Sequence, residues 1–164
     1  MKALEHADRG VRIAGIQALG SMGSEAGTAI SLLIERLGDR DEQIRTSSLR
    51  ALARMGNLPS EARGKLLPFL EDTNAAARAG AAVALMRLNP NDPAAIAVIS
   101  DCLKARDPPN LRSSTLFLMM GMGSTAKTFL PELRTSLADT NSSVARFARK
   151  LVMEIDPENL SREK

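Results

Sequence analysis

The chain has no tryptophan, no tyrosine and only four phenylalanines in 164 residues. Functions that rest on an aromatic platform, such as stacking of single-stranded bases, are therefore poorly supplied. One cysteine, Cys102, excludes an internal disulfide framework and a paired-cysteine metal site; it reads as packing filler at an edge position of a helix. One histidine, His6, cannot build a His-based acid–base pair or a His-rich metal centre. Val and Ile together number only 13, which argues against a β-sandwich or barrel. No apolar run approaches the length of a membrane span, and residues 1–20 lack the apolar core of a signal peptide, so a cytoplasmic location is expected. Phosphate-loop, nucleophile-elbow and dinucleotide-binding glycine patterns do not occur. An enzyme is not expected, and neither is a metal or other cofactor.

What the chain does have is Ala (24) and Leu (22), both strong helix formers, and they fall in a repeat. A shift of 33 residues carries Val11-Arg12 onto Ile44-Arg45 and then onto Ala77-Arg78; one extra residue gives Leu111-Arg112, and a further 33 gives Val144-Ala145. Leu19, Leu52, Leu85, Met119 and Val152 form a second column, and Leu37, Leu70, Leu103 and Leu137 a third. Several independent columns in register define a stack of supersecondary units.

Each unit reads as two helices. Val11, Ala14, Gly15, Ala18, Leu19 and Met22 recur at helical spacing and predict one buried stripe on a first helix. Gly23, Gly56 and Gly123, with Asn89 standing in, mark its end, where a left-handed residue closes a helix. Ala26, Ile30, Leu33, Ile34 and Leu37 predict the buried face of a second helix. Asp8, Asp41, Asn74, Asp107 and Asn141 stand one per unit where a side-chain oxygen can accept the free amides of the first turn. Pro108 is placed at the first helical position of its unit. The pattern predicts an all-α superhelix of about four to five two-helix repeats within a single domain, 1–164. The units run over 8–38, 39–71, 72–105 and 106–138, with a half repeat at 139–157. Residues 1–7 are expected to end a preceding helix, as if cut from a longer array, and 158–164 to form a tail.

The motif D-x-x-V/I-R-x-x-A/S-x-x-A-L-x-x-M/L-G, present from Asp8 to Gly23 and from Asp41 to Gly56, resembles the short bacterial HEAT-like repeats also met in phycobilin lyases and deoxyhypusine hydroxylase. The resemblance implies a right-handed α-α solenoid whose second helices line the concave side. It also implies that Arg12, Arg45, Arg78 and Arg112 form a structural ladder beside Asp39, Asp72 and Asp139. The His-Glu pairs that deoxyhypusine hydroxylase uses for iron are absent, so its chemistry does not transfer.

Two surfaces are candidates for a partner. The concave one would present Ser31, Leu32, Glu35, Lys65, Val98, Asp101, Glu132 and Thr135, shallow and slightly acidic. On the convex side Val83, Met86, Phe117 and Met120 align as a hydrophobic docking or self-association patch, if superhelical twist leaves them in water. The expected function is a non-enzymatic protein-interaction scaffold. The alternatives are a nucleic-acid binder, which the net charge of +3 supports only weakly, and a lyase-chaperone subunit of the phycobilin type.

Overall fold

The computed structural model describes residues 2–106, 108 and 110–160, with only the backbone of Ser24, Ala26, Asn159 and Leu160. The expected cap at Asp107, the expected burial of Ala26 and residues 161–164 of the expected tail lie outside the described residues and side chains. The described residues are helical, without strands. The first helices are α1 (Arg9–Met22), α3 (Glu42–Met55), α5 (Ala75–Leu88), α7 (Leu111–Met119) and α9 (Ser142–Ile155). Between them lie the second helices α2 (Ile30–Glu35), α4 (Ala62–Leu66), α6 (Pro93–Lys104) and α8 (Leu130–Ser136), and α10 (Pro157–Leu160) is a closing turn.

Local chemistry sets these boundaries. Asp8 accepts from the Val11 amide at 2.9 Å, Asp41 from Gln43 at 2.8 Å, Asn74 from Ala76 at 2.9 Å and Asn141 from Ser143 at 3.0 Å. Each carbonyl or carboxylate oxygen thus satisfies a donor that has no partner within the helix. Gly23 and Gly56 end α1 and α3 with φ of 58° and 63°. Asn89 ends α5 differently, in an extended conformation.

The fourth unit departs from the expectation: α7 begins at Leu111 rather than Pro108 and stops at Met119. Pro108 precedes another proline in the sequence, and a residue before proline is pushed out of the helical region. At the other end Gly121, with φ of 73°, turns the chain before the column glycine Gly123 is reached. Apart from α6, the second helices are shorter than the periodicity implied. In the second unit Pro68 removes an amide donor, and α4 passes into a 3-10 turn over Leu67–Glu71.

The first helices stack in order, α1 on α3, α3 on α5, α5 on α7 and α7 on α9. Ile16, Leu33, Ile44, Leu49, Leu52, Leu66, Ile99 and Phe129 lie wholly inside. Helix α5 is unusual in being buried all round, from Ala77 through Met86 apart from Arg78. Its run of alanines with Gly80 makes it thin, and α3 and α7 touch each other across it.

Two further corrections follow from this packing. The stripe expected on α1 is rotated: Ile13, Ile16 and Gly20 are buried, whereas Val11 (39% exposed), Ala14, Ala18 and Met22 (52%) face outward. The same columns in later units, such as Ile44, Ala51 and Met55, are covered by the first helix of the unit before; no such helix lies against α1 among the described residues. In addition, Cys102 is buried rather than at an edge, and that burial pushes its thiol above the ordinary range.

Asp41 joins two units, since its carboxylate caps α3 and also takes a bidentate contact from Arg9 of α1. The Arg9 contact, with the two backbone amides, lowers its pKa from 3.8 to about 2. A depressed carboxylate stabilises the fold above its unfolded pKa and loses that contribution as pH falls through the folded one. Asp41→Asn keeps the cap and removes the charge. The Tm advantage of the parent over this variant should therefore be constant near neutrality and close as pH falls toward about 2.

Candidate functional site

The Arg ladder does not pair with the acids as expected. Arg45 Nη1 donates to the backbone carbonyls of Asp39 and Arg40 at 2.9 and 3.0 Å, and Arg78 Nη1 to those of Asp72 and Thr73 at 2.7 and 3.1 Å. Arg12 does the same to His6 and Ala7, both at 2.8 Å. The Asp39 and Asp72 carboxylates instead accept from the amides of Asp41 and Asn74, closing Asx turns at 2.9 and 2.7 Å. Arg112 alone makes the expected ion pair, to Asp139 at 2.7 Å. From Arg12 through Arg78 the ladder is a clamp on the turns before the first helices, in which a guanidinium satisfies carbonyls that would otherwise end the turn unpaired.

The hydrophobic patch expected on the outside is not a surface. Val83 and Met86 are both 0% exposed, and Phe117 and Met120 are half-buried. Because α3 and α7 close over α5, the columns holding Val83 and Met86 lie beneath the neighbouring helices. Met153, which follows Met120 in the Met86 column, is 58% exposed, since no further first helix covers α9 among the described residues.

On the second-helix side Ser31, Glu35, Lys65, Asp101 and Thr135 are exposed, while Leu32, Val98 and Glu132 are half-buried. Glu132 accepts from Ser100 Oγ at 2.9 Å and pairs with Lys104 at 3.3 Å, tying α8 to α6. Burial pushes the Glu132 carboxyl up, but these contacts outweigh it and its pKa falls below the ordinary value. A cleft between α6 and α8 is lined by Lys104, Arg106, Arg112, Glu132, Thr135 and Asp139, and its charges are largely paired within it.

The first-helix side has a feature that periodicity could not show. Arg54 of α3 lies 5.0 Å over the Phe117 ring of α7. Phe117 meets Phe147 of α9 at 5.5 Å with rings tilted by 54°, and Arg146 lies 4.8 Å over Phe147. The result is an Arg–Phe–Phe–Arg chain across three first helices. Such cation–ring and tilted ring contacts are favourable because the ring faces are electron-rich and their edges are not. Arg54 Nη1 also donates to Ser21 Oγ of α1 at 3.3 Å. Arg87, nearby on α5, turns inward; it donates through Nε to the Ala53 carbonyl and through Nη2 to that of Met120 at 3.2 Å.

Around this chain is a groove of about 340 Å³, lined by Gln17, Gly20 and Ser21 of α1, by Ser47, Arg50, Ala51 and Arg54 of α3, and by Phe117 and Leu118 of α7. Its polar lining is donor-rich and contains no acid. Of these residues sequence reasoning singled out only Phe117 as a candidate, and it placed that residue on an outward patch. No cluster of metal-ligating residues occurs among the described residues, and no described helix is long and apolar enough to cross a membrane.

Several solved structures are similar to this chain. The chain in the complex of CpcE and CpcF of phycocyanin lyase from Nostoc sp. PCC7120 superposes with a TM-score of 0.61 at 23% identity, over 99% of this chain and 65% of that one. An engineered protein matches with a TM-score of 0.49 at 20% identity, over 93% of this chain and 76% of that one. A designed armadillo repeat protein matches at 0.47 and 15% identity, over 94% and 80%. No protein of curated function matches the sequence significantly. The sequence profile of HEAT repeats matches residues 1–53 and 30–119, which together span most of the chain. With its stacked helix pairs, the chain belongs to the HEAT-repeat family.

Proposed function

We infer that this protein is a non-enzymatic interaction scaffold that presents a preformed surface to a protein partner in the cytoplasm. The observation that supports this most directly is the groove spanning α1, α3 and α7, where side chains from three units are held in place before any ligand arrives. A surface fixed by a stacked core loses little conformational freedom on binding, so more of the contact energy appears as affinity. The test is affinity capture from a lysate of the source cells on the immobilised full chain, with both protein and nucleic acid assayed in the eluate. A defined protein that survives moderate salt and is absent from a column of unrelated helical protein is the expected result. Nucleic acid released steeply by salt, with no protein captured, would replace this reading with nucleic-acid binding. The likeness to the phycocyanin lyase complex concerns the fold; a lyase-chaperone role would require saturable binding of an isolated tetrapyrrole.

A further inference from the structure

The strongest recognition chemistry on the molecule lies in the first-helix groove. Arg54 is fixed twice, by Phe117 beneath its guanidinium and by Ser21 Oγ at 3.3 Å. Arg50 precedes it by one helical turn, is exposed, and has no hydrogen bond or ion pair among the described residues. Side chains four apart on a helix lie side by side, so the two guanidinium groups face the same space. Each presents a planar fork matched to a carboxylate, and the one held by its stacking partner is already oriented. Gln17, Ser21 and Ser47 add neutral polar groups along the rim. The exposed edge of Phe117 provides an apolar surface between the cations and the α7 wall.

We propose that this groove binds an acidic peptide segment of a partner protein. Two of its carboxylates pair with Arg50 and Arg54, and an apolar side chain between them packs on Phe117. The proposal deepens the scaffold reading and rests on it. A peptide fits better than a nucleic acid for three reasons. The face of the Phe117 ring turned to the cations is already taken by Arg54, and the ring is also met by Phe147 at 5.5 Å, so it is not a free stacking platform for a base. Arg87 is committed to backbone carbonyls and cannot extend the cationic line. Tracking a phosphate backbone needs a run of free cations, whereas this groove offers two within one turn.

The experiment is fluorescence anisotropy with the full chain and a fluorescein-labelled synthetic peptide carrying Glu-Leu-Glu in a Gly/Ser carrier. The same peptide with Gln for Glu, and a uridine-rich single-stranded RNA, serve as comparison probes. Arg50→Glu, Arg54→Lys and, on the opposite side, Arg106→Glu are titrated in parallel, with far-UV circular dichroism confirming that each is folded. Saturable binding of the Glu peptide is expected. It should weaken roughly tenfold or more with Gln in the peptide or with Arg50→Glu, the weight of a charge-assisted hydrogen bond. Arg54→Lys should weaken it as well, because lysine keeps the charge and lacks the fork, while Arg106→Glu should leave it unchanged. Undiminished binding by Arg50→Glu, tighter binding of the RNA than of the peptide, or no saturable peptide binding would each overturn the proposal. A protein captured from the lysate would in those cases leave the scaffold reading standing, so the two fail separately.

Discussion

Met86→Asp is expected to unfold the protein, while Met153→Asp, the same repeat position one unit beyond Met120, is expected to leave stability within about 0.5 kcal/mol of the parent. Met86 is 0% exposed and Met153 58%. A carboxylate at 86 would have to give up its water beneath α3 and α7. It would either remain charged without a partner or take up a proton. Either course costs on the order of 4 kcal/mol or more, a large part of the roughly 5–15 kcal/mol that holds a domain of this size together. Urea denaturation followed by circular dichroism separates the two variants. Equal stability would mean that α5 is not enclosed, and the contact of α3 with α7 would have to be abandoned with it.

The second large effect has an unusual sign. In an exposed helix Gly→Ala gains up to about 1 kcal/mol, because alanine loses less backbone freedom on folding. Gly20 of α1 should do the opposite. A Cβ built there would lie 2.8 Å from Ala51 Cα and 3.0 Å from Ala51 Cβ, and the nearer atom is backbone of α3 that cannot rotate away. Forcing α1 and α3 apart costs about 1–3 kcal/mol as overpacking, which exceeds the propensity gain. Gly20→Ala should therefore lower Tm, and Gly20→Val should lower it further. Gly64→Ala, in α4, has nothing within 4 Å of the added carbon and should raise Tm slightly. Thermal melts of the three variants check the order.

How far the sequence was legible depended on whether the signal was local or shared. The caps at Asp8, Asp41, Asn74 and Asn141 were readable because one side chain acts on amides two or three residues away. The repeat columns were readable because every unit packs against a copy of itself. Helix rotation was less readable, since a first helix between two neighbours is apolar on two sides. On α1 the choice between the Val11–Met22 stripe and the Ile13–Gly20 stripe turns on which neighbour is present. In α5 almost every position is alanine or another small or apolar residue, so no polar face marks an outside; that is why Val83 and Met86 read as surface.

The Arg–Phe–Phe–Arg chain was beyond periodicity because its members occupy different columns and meet only where α5 is recessed. The available hint was compositional: two of the four phenylalanines, Phe117 and Phe147, fall on consecutive first helices, and Phe147 directly follows an arginine.

A solenoid in which each unit touches only the next behaves as a row of dominoes, able to lose its end units singly while the remainder stands. The contact of α3 with α7 adds a link between next-nearest neighbours, and the ring chain carries it on to α9. Opening α5 would require breaking the bonds that close over it, and opening α7 would release α3 as well as α9. The central units should thus melt as one cooperative block.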